Sequence, residues 1–300
     1  MTALDAVQLN FNPTAVLILN GLLAMIVFGV ALDLSLQDFI RLRRQPRAIL
    51  TGLCAQCLLL PALTALLIVG LSPSPSLALG MILIAACPGG SVSNFFSQLA
   101  RADVALSVSL SAISSLCCFL MTPFTIAFWA GLLPTTQAVL QSVEIDFVQM
   151  LLLVAIVLII PTALGVLFAY ARPGQAAALK RPLRLFSMTA FILFVVLAFF
   201  ANGALFIDHA NAIFWWVLVH NSAAFALGFA LAWLTRCRPS AQRSICIEVG
   251  IQNTALGLAL ALTFFPLLGS VALITAWWGV WHLIAGGAIA WFWSSKAPEG

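Results

Sequence analysis

Apolar stretches long enough to cross a lipid bilayer recur along this chain, separated by short segments that hold most of its charged residues. Crossing roughly 30 Å of hydrocarbon takes about 20 residues of helix. Nine such stretches stand out, near residues 14–32, 48–70, 76–99, 104–133, 147–170, 183–207, 210–234, 244–266 and 270–293. The pattern predicts an all-α polytopic membrane protein, a single domain over residues 1–300 with nine transmembrane helices.

Two of the nine stretches carry polar interruptions. The first is Cys87-Pro88-Gly89-Gly90-Ser91-Val92-Ser93-Asn94 and the second is Glu248-Val249-Gly250-Ile251-Gln252-Asn253-Thr254. A helix in hydrocarbon must satisfy its own backbone, so a break at membrane depth is tolerated only where protein or a cavity covers it. Proline removes an amide donor and the two glycines admit backbone angles that other residues resist, so Pro88-Gly89-Gly90 predicts such a break. Ser91, Ser93 and Asn94 would then open a half-helix whose free amides favour an anion. The second interruption lacks proline and is the weaker signal. It lies five spans after the first, so the two segments cross the membrane in opposite directions, as in an inverted repeat, and paired interruptions of this kind point to a midplane site in secondary transporters. The plain alternative is a kink packed by neighbouring helices.

Composition agrees with the membrane reading. Hydrophobic residues make up 63% of the chain and charged residues 7%, against about 25% charged in soluble domains, and mean hydropathy is +1.12. The first ten residues contain Asp5 and no Lys or Arg, unlike a secretory leader, so the first span is expected to stay in the mature protein. Seven cysteines, Cys54, Cys57, Cys87, Cys117, Cys118, Cys237 and Cys246, lie mostly within spans and read as small packing residues. Cys54-Ala55-Gln56-Cys57 has redox spacing without the βαβ context such a motif needs.

Charge then sets orientation. The 13 basic residues all fall on one side of a nine-span topology: Arg41, Arg43, Arg44 and Arg47 after the first span, Arg101 after the third, Arg172, Lys180, Arg181 and Arg184 about the fifth loop, Arg236, Arg238 and Arg243 after the seventh, and Lys296 after the last. The alternate loops, near 71–75, 134–146, 208–211 and 266–269, hold none. The positive-inside rule therefore predicts an external N-terminus and a cytoplasmic C-terminus in the inner or plasma membrane. The net charge of +4 is a topology signal and gives no reason to expect nucleic acid.

Glu248 carries the candidate chemistry. An acidic residue at a helix centre is disfavoured by about 2.5–3.5 kcal/mol on insertion scales, and every Lys and Arg lies near one membrane face, so a cation or proton must compensate it. Oxygen donors for a hard cation stand in nearby spans: Ser107 and Ser111, four apart on one helix face, the amides of Gln56 and Gln252, and the carbonyls of Val249 and Ile251. Singly, each is more often a buried polar residue bonded to backbone.

At these residues the chain resembles the bile acid:sodium symporter family over roughly 16–293. The strongest matches are Cys87 through Asn94 leading into Asp103-Val104-Ala105-Leu106-Ser107-Val108, and Glu248 through Asn253. Gln56 before Pro61, Phe28-Gly29 before Asp38-Phe39, and Trp281-His282 support them. The resemblance implies two co-transported sodium ions where the broken helices cross, one held by Ser93, Asn94, Ser107, Ser111 and Glu248, the other by Gln56, Glu248, Val249, Ile251 and Gln252. It also implies a core bundle, 48–133 and 210–293, rocking against a panel bundle, 14–32 and 147–207. Substrate contacts are expected from Ser91, Asn253 and His282. Leu283 stands where relatives often have asparagine, and Ser91-Val92 replaces a common Thr-Ala pair, which weakens inference to one particular anion.

The expected activity is sodium-coupled import of an organic anion, of the bile-acid-like, pantoate or keto-acid class, by alternating access, with a monomer sufficient. The alternative is a proton-coupled or uncoupled carrier of similar fold, for organic anion or metalloid efflux. An enzyme is not expected: no His-Glu-x-x-His motif occurs, and His209, His220 and His282 are the only histidines.

Overall fold

The computed structural model describes residues 13–32, 45–142 and 146–296. Asp5, Asp38-Phe39, Arg41, Arg43 and Arg44 lie outside the described residues. Every named element is a helix, and the one extended pairing among the described residues is an isolated bridge between Gly89 and Gln252. Among the described residues, six helices are long and apolar enough to cross a membrane: α1 (Thr14–Ala31 within Pro13–Ala31), α2 (Pro46–Leu71), α5 (Val104–Ala130), α7 (Phe147–Ala171), α10 (Ala210–Leu234) and α13 (Gly269–Ser294). The protein is an integral, multi-pass membrane protein. Large side chains such as Leu66, Phe200 and Trp291 face outward, which hydrocarbon tolerates and water would not.

Both interrupted stretches are broken. The first consists of α3 (Pro75–Ala86) and α4 (Val92–Leu99), the second of α11 (Pro239–Gly250) and α12 (Thr254–Phe264). The second break needs no proline because its stabilisation is not local: Gly90 N donates to the Ile251 carbonyl at 2.7 Å and Asn253 N donates to the Pro88 carbonyl at 2.8 Å. Two unwound strands thus cross antiparallel and satisfy each other's amides, as lipid-buried backbone requires.

Two connections differ from the expected loops. A short helix, α6 (Pro134–Ser142), occupies much of the 134–146 connection, opened by its proline. The stretch expected at 183–207 starts earlier, as α8 (Pro173–Ala201), followed by α9 (Gly203–Asp208). Pro173 stands at the first helical position and Gln175 through Leu179 are good helix formers, so Lys180 and Arg181 ride on the helix rather than in a loop.

Proline also shapes α2 and α7. In each, a π-helical turn, Ala55–Leu59 or Ala155–Ile159, precedes a proline, Pro61 or Pro161. Proline cannot donate to the turn before it, and a widened turn absorbs the mismatch. Gln56 sits inside the first of these turns.

Helix α1 packs on α7 and α8, while α2, α5, α10 and α13 surround the crossing. One clamp ties the core at a helix end: buried Arg243 of α11 donates to the carbonyls of Ala100, Trp293 and Lys296 at 2.8, 3.3 and 2.9 Å. These carbonyls close α4 and α13, where the helix dipole favours a cation. Arg243→Met should lower stability by about 2 kcal/mol, the usual range for hydrogen bonds to a charged group. A melting temperature in detergent equal to the parent's would refute the clamp.

Candidate functional site

The register of the crossing builds the site. Gly89 meets Gln252, and a methyl added at Gly89 would fall onto Oε1 of Glu248, while one added at Gly90 would lie 2.8 Å from the Gln252 carbonyl oxygen. Glycine is required here for close approach, and the carboxylate fills the space that Gly89 leaves.

Glu248 is 2% exposed. Its Oε2 accepts from Ser93 Oγ at 2.6 Å and Ser107 Oγ at 3.3 Å, and its Oε1 accepts from Ser111 Oγ at 2.7 Å. The Asn94 oxygen joins them, 3.0 Å from Ser107 Oγ and 3.4 Å from Ser111 Oγ. Five expected residues, Ser93, Asn94, Ser107, Ser111 and Glu248, therefore converge from α4, α5 and α11. Each hydroxyl can donate to the carboxylate or turn a lone pair to a cation, so the donor set is hard oxygen around one negative charge.

Next to it, the carboxamides of Gln56 and Gln252 bond reciprocally: Gln56 Nε2 donates to Gln252 Oε1 at 2.7 Å and Gln252 Nε2 to Gln56 Oε1 at 3.2 Å. Gln252 Nε2 also donates to the Val249 carbonyl at 2.7 Å. Gln56, Val249 and Gln252 are thus in one place. The Ile251 carbonyl accepts from Gly90 N, and the hydrogen bonds of Glu248 run to the serines.

Ser91, Asn253 and His282 share a cavity of about 290 Å³ with Gly89, Gly90 and Leu283. Its other wall is apolar, with Leu23, Ile26, Val27 and Val30 from α1 and Ile192 from α8. Ser91 and Asn253 are the N-cap residues of α4 and α12, so two positive helix ends face the cavity. The opposite, carbonyl ends of α3 and α11 border the oxygen cluster. A positively polarised cavity face and an oxygen cluster thereby adjoin one another.

Two participants escaped the sequence reading. Ser97, fully buried, donates to Ser107 Oγ at 3.1 Å; its position one turn after Ser93 was the available signal. Asn221 of α10, also fully buried, donates from Nδ2 to the Gly250 carbonyl at 2.9 Å.

Known proteins resemble this chain over most of its length. The model of the family described as Sodium Bile acid symporter family matches residues 21–209. The chain is 33% identical over 278 residues to the uncharacterized sodium-dependent transporter YocS of Bacillus subtilis, covering 92% of this chain and 83% of that protein. It is 31% identical to the probable chloroplastic sodium/metabolite cotransporter BASS2 of Oryza sativa subsp. japonica, over 91% of this chain and 63% of that protein. It is 28% identical to sodium/bile acid cotransporter 4 of Homo sapiens, over 81% of this chain and 55% of that one. With the family model matching well over half of its length, the chain belongs to the sodium/bile acid symporter family.

Proposed function

We propose that this protein is a sodium-coupled symporter that imports a small organic anion by alternating access, across nine spans with an external N-terminus in the inner or plasma membrane. The observation that carries this reading is Glu248: a buried carboxylate whose partners are three serine hydroxyls, with the Asn94 oxygen beside them. Charge balance calls for a cation at that point. Ser93, Asn94, Ser107, Ser111 and Glu248 hold one sodium ion. Gln56, Gln252 and the carbonyls of Val249 and Ile251 hold a second, with Glu248 shared. The names of the Bacillus, rice and human relatives, a sodium-dependent transporter and two sodium cotransporters, support the choice of ion.

The organic anion occupies the cavity, its acidic group at Ser91, Asn253 and the two half-helix ends, with His282 beside it and its carbon skeleton against α1. At about 290 Å³ the cavity lies at the low end of ligand pockets, roughly 300–1,000 Å³, which favours a compact carboxylate over a conjugated steroid. The cavity runs between α1, α7 and α8 on one side and the crossing on the other, the boundary across which panel (14–32, 147–207) and core (48–133, 210–293) rock.

Thermal unfolding of the purified protein tests the ion. Replacing choline chloride by sodium chloride at constant ionic strength should raise the midpoint saturably, and a compact carboxylate should raise it further only when sodium is present, because ligands that bind the folded state stabilise it by linkage. Identical midpoints in the two salts would overturn the proposal.

A further inference from the structure

The crossing imposes a register on the two halves of the molecule. Pro88 and Ile251 both offer carbonyls to it, Gly90 and Asn253 both offer amides, and Gly89 pairs with Gln252. Counted back two residues from that pair along each segment, Cys87 is the counterpart of Gly250, the residues at which α3 and α11 give out. Their carbonyls face the same physical problem: the helix no longer supplies an amide, because the chain beyond has turned away, as Thr254 N does in bonding to Gln252 O. A buried, unpartnered carbonyl is costly, the more so in a membrane interior.

Both halves answer it alike. Gln56, on α2, donates from Nε2 to the Cys87 carbonyl at 3.0 Å, across 31 residues, and Asn221, on α10, donates from Nδ2 to the Gly250 carbonyl at 2.9 Å, across 29 residues. Each broken helix is thus capped by a carboxamide from the long helix before it. The likeness ends at the other side of each amide. Gln56 reaches Gln252, whereas the residue opposite Gln252 is Gly89, which has no side chain. Asn221 Oδ1 is buried without a hydrogen-bond partner among the described residues.

We propose that Asn221 is a positioning residue for the cation cluster, the second-half counterpart of Gln56, and that it acts through its amide donor. Gly250 lies between Val249, whose carbonyl belongs to the proposed second sodium site, and Ile251, whose carbonyl completes it and joins the crossing. Glu248 lies two residues back. Holding the Gly250 carbonyl fixes the peptide planes on which these oxygens are mounted. Asparagine is an expensive choice for packing alone, since its side-chain oxygen stays unsatisfied in the core; its donor is what the site uses. This inference rests on the sodium reading above.

Sodium titration of thermal unfolding midpoints, with choline holding ionic strength, tests it on the full-length protein. Asn221→Leu keeps the volume and removes the donor, and should weaken the sodium midpoint about ten-fold, the effect of leaving one carbonyl unsatisfied. Asn221→Gln keeps the donor and should return the midpoint to within about three-fold of the parent. A merely structural asparagine would lower the melting temperature equally at every sodium concentration and leave the sodium midpoint in place, which overturns the inference. Equal weakening in the Leu and Gln variants overturns the donor role. A flat parent curve overturns the sodium reading and this inference with it, whereas a normal parent curve with an unaltered Asn221→Leu curve overturns this inference alone. If the Leu variant does not fold, Asn221→Ala is titrated and judged by the same outcomes.

Discussion

A Glu248→Gln protein is expected to fold, to insert into the membrane, and to show neither sodium-dependent uptake nor sodium-dependent stabilisation. The substitution preserves size and most hydrogen bonding to Ser93, Ser107 and Ser111 while removing the charge that both proposed cation sites share. A unit charge about 4 Å from a cation contributes about 4 kcal/mol at an effective dielectric of 20, so sodium affinity should fall roughly 1,000-fold. Removing a buried charge also relieves the desolvation it imposes, so the melting temperature without sodium should stay level or rise. Sodium titrations of unfolding and sodium-gradient-driven uptake into vesicles read the two effects separately. A sodium response within a few-fold of the parent in this variant would remove the basis of the mechanism.

The second large effect separates two adjacent glycines. At Gly89 an added methyl collides with the end of the Glu248 side chain, whereas at Gly90 it collides with the backbone of Gln252, at 2.8 Å from the oxygen and 3.1 Å from the carbon. A carboxylate can swing away; a peptide held in the crossing cannot. Gly89→Ala should therefore yield folded protein whose carboxylate is displaced from its serines and whose sodium response is gone. Gly90→Ala should break the pairing of Gly90 with Ile251 and fail to accumulate as folded protein, since overpacking against fixed backbone costs about 1–3 kcal/mol or more in addition to the lost pairing. Size-exclusion profiles and sodium titration of both variants check the contrast. If Gly89→Ala keeps a parental sodium response, the close fit between Gly89 and Glu248 has no functional meaning.

The long helices and the first break were readable because their causes are local. Apolar runs of bilayer length mark α1, α2, α5, α7, α10 and α13, and Pro88-Gly89-Gly90 disrupts a helix by covalent geometry. Glu248 was conspicuous because a charge in a greasy run has few explanations. The second break was harder to see, since Ile251 through Asn253 leave the helix through hydrogen bonds to residues far upstream. Ser97 and Asn221 went unnoticed for the same reason: a serine or asparagine within a helix commonly bonds its own backbone, and only the fold shows what these two touch. The near-equal separations from Gln56 to Cys87 and from Asn221 to Gly250 were a signal in the chain, but one that acquires meaning only once the two breaks are placed in register. The early start of α8 at Pro173 was obscured by its basic residues, which read equally well as a loop.

The fit of the carboxylate into the gap left by Gly89 makes the two halves of the molecule unequal partners. Four residues before the Gly89–Gln252 pair, the first half has Ala85 where the second has Glu248, and at the pair itself glycine faces glutamine, so the first half contributes vacancy and the second half contributes substance. Neither half owns a complete set of the proposed ion ligands. The two halves are thereby interlocked at the crossing, like the two parts of a mould.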